Sequence, residues 1–273
     1  MSLNSVNTNV GAMIALQNLN AINRDLFTTQ NRISTGLKVA SAKDNPAVWA
    51  IAQRQRSELS ALDAVTSSLE RGQSIVDVAM TAGESIVDLL TQMKVKALAA
   101  SDTSLDPASR TALLGDYDAL RKQIDTIANN SDFNGVSLIS HGSNAKVSAL
   151  ANTRGSTKID IDHVDLSTSG TLLQSINPNT FGAVSLSAVD TAIKAVTAAI
   201  AHFGSGAKAL DTHLTFVGKL HDTMEESIGR LVDADIAEEA AHLQALQVKQ
   251  QLAIMALGIA NSAPNMLLQL FRR

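Results

Sequence analysis

A helical pattern that runs for half a hundred residues without a stop is the feature that most limits what this chain can fold into. Asp44-Asn45-Pro46 reads as a helix start, a polar cap followed by proline at the first helical position. From Ala47 onward Leu59, Leu62, Leu69, Val76, Ala79, Ile86, Leu89 and Met93 keep to one face with small slips. The next breaker cluster is Asp102 to Asp106, so the spacing predicts a helix to Ala100. At a rise of 1.5 Å per residue, about 55 residues make a rod of roughly 80 Å. Globules rarely use such a rod; coiled coils and fibrous assemblies do.

The neighbouring segments repeat the theme. Pro107 starts another helix, and Leu113, Tyr117, Leu120, Ile124 and Ile127 follow a 4-3-4-3 seam. Asn129 to Gly135 ends it, with Asn134-Gly135 a tight-turn signal. From Ser185 the residues Leu186, Val189, Ile193, Val196, Ile200 and Phe203 resume a seam. Leu210, Leu214, Val217, Leu220, Met224, Ile228 and Leu231 continue it in phase. That phase predicts one helix across Gly204 and Gly206, two costly residues, up to Asp233 and Asp235. Between the helical halves, residues 136–184 are rich in Ser, Thr, Asn and Gly. Ile159 and Ile161 alternate with Lys158, Asp160 and Asp162 as in a strand, and Asn177-Pro178-Asn179 reads as a turn. The segment is expected to be a small hairpin-rich insert at one end of a helical bundle.

Both ends of the chain carry apolar stripes with no domain of their own to cover. Val6, Val10, Met13, Leu16, Leu19, Ile22 and Leu26 recur at steps of three or four, on a helix expected from about Ser5 to Thr35 that also holds Ile33. Near the other end Ile236, Ala240, Leu243 and Leu246, then Val248, Leu252, Met255 and Ile259, do the same. This helix is expected to stop near Asn261, before Pro264 and an apolar tail of Met266, Leu267, Leu268, Leu270 and Phe271. Termini are usually polar and frayed. Two apolar ends imply pairing with each other and then with further molecules.

Composition excludes several classes. A net charge of −4 argues against nucleic acid as the main partner, because phosphate binding needs a basic face. With no cysteine there are no disulfides, thiolate catalysis or cysteine-bound metal. Aromatic residues are only 3% of the chain, which suits cores of Ala, Leu, Ile and Val at close helix spacing. Residues 1–23 hold no Lys or Arg and no apolar signal region, and no run approaches the ~18 apolar residues of a membrane span.

The residues that invite chemistry read as structural. No two of His141, His163, His202, His213, His221 and His242 stand at the i, i+4 spacing of a zinc helix. Asp160, Asp162 and Asp165 lack the further oxygen ligands and turn glycine of a calcium loop. Glu225-Glu226 and Glu238-Glu239 are adjacent on helices and point to different sides. No catalytic constellation, metal site or cofactor is expected. Trp49, just past a helix start, suits equally a packing residue and an intersubunit anchor. Ser167, Thr168, Ser169 and Thr171 make the insert a candidate for O-glycosylation.

The stretch Asn18 to Asn45, NLNAINRDLFTTQNRISTGLKVASAKDN, resembles the N-terminal region of bacterial flagellins, as do Pro46-Ala47 and Ala50-Ile51-Ala52. Arg230 to Gln251, RLVDADIAEEAAHLQALQVKQQ, resembles their C-terminal region, as does the end from Leu267 to Arg272. Phe133-Asn134-Gly135 matches a family turn before the variable region. The closest flavour is a short alphaproteobacterial-type flagellin. The resemblance implies a mainly α fold: a long antiparallel helical coiled-coil bundle with a small β-hairpin insert, its N- and C-terminal helices paired. It implies an inner D0 region from residues 1–43 and 233–273 and a D1 region from 44–135 and 185–232 around the insert. It further implies a non-enzymatic subunit that polymerises with itself into the extracellular flagellar filament for swimming. Export would be unfolded, through the flagellar type III channel. Implied partners are cap and hook-associated proteins and an export chaperone on the C-terminal helix, without membrane insertion. The rivals are a hook–filament junction protein and a secreted coiled-coil translocator or adhesin.

Overall fold

The computed structural model describes residues 8–142, 146–177 and 186–270, with side chains described as far as residue 262. The chain is mainly α. Among the described residues there are five helices, α1 (Val10–Thr35), α2 (Pro46–Ala100), α3 (Pro107–Asn130), α4 (Leu186–Val232) and α5 (Ile236–Leu270), and one antiparallel hairpin of β1 (Val147–Leu150) and β2 (Lys158–Ile161). A single 3-10 turn spans Gln174–Ile176. The chain divides into two compact units, residues 1–57 with 223–273, and residues 58–222.

Local signals place most helix ends. Asn45 Oδ1 accepts from the Val48 amide at 3.1 Å, so α2 starts at Pro46 as its sequence predicts. Asp106 Oδ1 accepts from the Ser109 amide at 3.0 Å and starts α3 at Pro107. Asp235 Oδ1 takes the Ala237 and Glu238 amides at 2.9 and 3.2 Å, which starts α5. Glu238 and Glu239 in its first turn complement the positive helix end. Gly36, at φ 71°, takes the left-handed position that closes α1.

Two helix ends differ from the sequence expectation. α1 begins at Val10, where Asn9 takes the capping position and its Oδ1 accepts from the Ala12 amide at 3.0 Å; the expected start near Ser5 lies outside the described residues. α5 does not stop near Asn261 but runs through Pro264 to Leu270. Proline has no N–H and strips the carbonyl four residues back, that of Ala260, of its helical donor. That carbonyl instead accepts from Asn9 Nδ2 at 2.6 Å.

In the unit of residues 58–222 the insert supplies core. Leu138, Ile139, Leu166, Leu173 and Ile176 are buried along with Leu69, Ile86, Leu90 and Met93 of α2, Tyr117 and Ile124 of α3, and Phe203 of α4. The hairpin lies close because two helices present glycine to it. A Cβ on Gly72 would stand 3.3 Å from the Ala149 Cβ, and one on Gly206 would stand 2.8 Å from Ile161 Cδ1. Gly206, a weakness in the α4 pattern, is therefore the seat of β2. Arg121 donates to Asp118, Thr168 and Asn177, while Asp125 accepts from the Thr168 amide and hydroxyl, tying the insert to α3. Ser167 and Thr168 are 1% exposed, so of the four hydroxyls considered for glycosylation only Ser169 and Thr171 face outward. The Asn177-Pro178-Asn179 turn lies mostly outside the described residues.

Among the described residues one helix, α4, is long and apolar enough to cross a membrane, with a mean hydropathy of 1.2 over its most apolar 18-residue window. Counting unbroken apolar runs overlooks this window. Along α4 Val189, Val196, Phe203 and Leu210 are fully buried, and 28% of that window is buried in the protein.

Candidate assembly interface

The unit of residues 1–57 and 223–273 is built around α1 and α5, which run antiparallel. Four side-chain contacts set their alignment: Asn9 to Ala260, Gln250 to Asn23 at 2.7 Å, His242 to Thr29 at 3.3 Å and Arg32 to Glu239 at 2.8 Å. Backbone bonds join the segments beyond them, with Lys38 and Val39 amides donating to the Val232 carbonyl and the Ala234 amide to that of Gly36.

One seam runs the length of this pair. On α5 the partly or fully covered positions are Glu239, Leu243, Leu246, Gln250, Ala253, Leu257 and Ala260, a strict 4-3-4-3 alternation. On α1 and its cap they are Asn9, Ala12, Ala15, Leu19, Ala21, Ile22, Leu26, Thr29, Arg32 and Ile33. Near the chain ends most seam positions are alanine, with Leu257 between Ala253 and Ala260, which brings the backbones close. A Cβ on Gly11 would lie 3.9 Å from that of Ala260.

The apolar stripes read from the sequence are thus split between two roles. Leu19, Ile22, Leu26, Ile33, Leu243 and Leu246 face the sister helix. Val10, Met13, Leu16, Leu252, Met255 and Ile259 stay 45% to 72% exposed, as do Ile236 and Val248. Val6 and Phe271 lie outside the described residues, as do the side chains of Leu267, Leu268 and Leu270. Trp49 is half-buried, beside an exposed Ile51.

Ile14, Phe27 and Ile254 are also more than half exposed, and a search for one stripe per helix misses them. The signal was present: Val10 with Ile14, and Leu252 with Met255 and Ile259, stand at helical neighbour spacings beside the seam positions. The sister helix covers only one of the two apolar faces on each helix.

A groove of about 610 Å³ follows the pair, floored by Gly11, Ala15, Ala21, Ala253 and Ala256 and edged by Ile14, Ile22, Leu252, Asp25 and Lys249. A second of about 420 Å³, near the linkers, is lined by Arg32, Lys38, Asp44, Asp235, Glu238 and Glu239. There the Ser41 amide and hydroxyl bond the Asp44 carboxylate and hold its pKa below the usual value. Glu239 Oε1 pairs with Arg32, while its Oε2 is buried with no hydrogen-bond partner among the described residues. Among the described residues no three acidic or histidine side chains converge as metal ligands.

Two family models account for most of the chain: the bacterial flagellin N-terminal helical region matches residues 6–145, and the bacterial flagellin C-terminal helical region matches residues 186–271. The chain belongs to the bacterial flagellin family. It is 51% identical to flagellin FljK of Caulobacter vibrioides across all of both chains. It is 31% identical to a flagellin of Brucella melitensis across 98% of this chain and 99% of that one. A putative flagellar hook-associated protein from Vibrio parahaemolyticus has the same fold at 18% identity, with a TM-score of 0.59 over 70% of this chain and all of its own. A Bacillus cereus flagellin crystal structure aligns over 55% of this chain and 88% of its own, at 21% identity and a TM-score of 0.49. Flagellins are structural proteins, and the helices that carry the exposed faces lie within the two matched flagellin regions.

Proposed function

We propose that this flagellin polymerises into the extracellular flagellar filament through the outward faces of α1 and α5. The observation that carries this reading is the pair of helices itself. A single seam joins them, yet Met13, Ile14, Leu16, Leu252, Met255 and Ile259 remain about half exposed or more on the other side. Fully burying a large apolar side chain is worth about 1.5–3 kcal/mol, so each half-exposed one returns roughly 1 kcal/mol when a neighbour covers it. The alanine-floored groove is a socket for such side chains. A groove on one copy that receives a ridge from the next is a heterologous contact, and one that does not close makes an open helical filament.

The finer assignments follow from that reading. Residues 1–43 and 233–273 form the inner D0 region, and 44–135 with 185–232 form D1 around the short insert. Outward-facing side chains from Val10 to Ile259 make the filament core contacts, with Val6, Leu267, Leu268, Leu270 and Phe271 extending them, and Trp49 an anchor at the α2 start. A chain without cysteine crosses an export channel unfolded with no risk of crosslinking. Before export a chaperone shields the apolar face of α5; outside the cell, cap and hook-associated proteins meet the same helices. The filament serves swimming. Full-length similarity to a protein named flagellin favours a filament subunit over a junction protein.

Seeded growth tests the proposal. Purified monomer mixed with filament fragments elongates under the electron microscope, and removal of the first 30 or last 40 residues abolishes elongation while leaving a soluble helical protein. Normal polymerisation of either trimmed chain would overturn it.

A further inference from the structure

Pro264 sits inside α5, where a proline should cost a helix dearly, and the side chain that offsets this cost lies at the opposite end of the chain. The Ala260 carbonyl cannot receive a helical bond from residue 264, because proline has no N–H. It accepts from Asn9 Nδ2 at 2.6 Å. The same carboxamide uses its other atom to cap α1, Oδ1 accepting from the Ala12 amide at 3.0 Å. Both contacts require a head with one donor and one acceptor, held in one orientation. Aspartate and serine cap helices well, but a carboxylate has no donor and a serine hydroxyl is too short to serve both sites.

Around this contact the two backbones are close, a Cβ on Gly11 lying 3.9 Å from the Ala260 Cβ. Most seam positions there are alanine, with Leu257 between Ala253 and Ala260, and small side chains define axial position poorly. Farther along, the bonds of Asn23 to Gln250, Thr29 to His242 and Arg32 to Glu239 align the pair, but at the tip only the Asn9 bond does so. A directional bond to one particular carbonyl fixes the tip.

We propose that Asn9 is the register pin at the tip of the terminal helices: it satisfies the carbonyl that Pro264 strips, and so fixes where the start of α1 stands beside α5, beyond the reach of the three side-chain bonds farther along. Pro264 is the matching half of the device, since it leaves the Ala260 carbonyl, inside the helix, without its helical donor. The pin couples ordering of the first residues to ordering of the last. It rests on the filament reading only for its purpose, which is to present the outward faces in a single alignment.

The chain has no cysteine, so an engineered pair reports register without interference. Gly11→Cys with Ala260→Cys matches disulfide geometry, for which Cβ atoms lie about 3.8 Å apart. The readout is the effective concentration of the two thiols against a glutathione buffer in the full-length protein. Asn9→Asp, which keeps the cap but loses the donor, lowers it about tenfold or more while residue 264 is proline. In the Pro264→Ala background, where residue 264 supplies its own N–H to Ala260, the same change costs threefold or less. Asn9→Ala, which also loses the cap, costs more than Asn9→Asp in the Pro264→Ala background. Equal losses from Asn9→Asp in both backgrounds, no loss in either, or failure of the parent pair to form the disulfide would each overturn the pin. Seeded elongation, run in parallel, separates the two ideas: a parent that never elongates sinks the filament reading and leaves the thiol result standing.

Discussion

Tyr117 is the only tyrosine in the chain, and it offers a direct measurement of how the insert is held. It projects from α3 with 1% of its surface exposed, and its hydroxyl donates to the Ile176 carbonyl at 3.0 Å. Burial pushes the phenol up from 10.0 to about 12, with the Arg121 charge pulling weakly the other way. A raised folded-state pKa means that the folded protein holds the proton longer than the unfolded chain does. The associated stability is complete below pH 10 and is lost as pH rises through 12. Two pH units correspond to about 2–3 kcal/mol. Tyr117→Phe keeps the ring in place but leaves the Ile176 carbonyl unpaired, a loss of about 1–2 kcal/mol at neutral pH. The variant has no phenol to titrate, so its disadvantage shrinks across the same alkaline window and then reverses, since the tyrosine loses about 2–3 kcal/mol, more than the deficit of about 1–2 kcal/mol. Lysines titrate in both proteins and cancel in the difference. Urea unfolding of monomer, followed by circular dichroism at several pH values, gives the two stability curves, and phenolate absorbance gives the titration itself. The reasoning fails if the folded phenol titrates near 10, or if the gap between the two proteins is constant from neutral to alkaline pH.

Two further outcomes follow from the packing. Gly206→Ala should destabilise by about 1 kcal/mol although alanine is the better helix former, because overpacking against Ile161 costs more than the helix gains. Urea unfolding should show a smaller cost in an Ile161→Val background, where Cδ1 is gone; equal costs would mean that Gly206 is not the seat of β2. On the terminal helices, Leu246→Ala, at a position 3% exposed, should lower stability by about 2–4 kcal/mol. Ile259→Ser, at a position 72% exposed, should leave thermal unfolding of the monomer unchanged yet slow seeded elongation. The split between seam and outward face is wrong if Ile259→Ser destabilises the monomer as much as Leu246→Ala does.

Helix boundaries set by neighbours in sequence were legible. Asn45-Pro46 and Asp106-Pro107 carry their own capping chemistry, and α4 runs through its glycines because the apolar phase never slips. The strand at Lys158–Ile161 showed in its alternation, but β1 gave no comparable signal: its pairing is defined by β2 and by the glycines beneath it. The reading of α5 failed at Pro264 for the same reason. The side chain that makes proline tolerable there is 251 residues away in the chain, where no local pattern can register it.

For the terminal helices the division is sharper. Periodicity alone determined that both ends are apolar helices in need of partners, since a 3.6-residue period is a property of one chain segment. Which residues meet the sister helix was decided by tertiary structure. Val10, Met13 and Leu16 stand in the same stripe as Leu19, Ile22 and Leu26, yet only the second three belong to the seam. Near the tip Asn9, Ala12 and Ala15 take the inner positions, because antiparallel α5 presents Ala253 and Ala260 there and small residues let the backbones close. Large side chains displaced from that contact turn outward, where only another molecule can bury them.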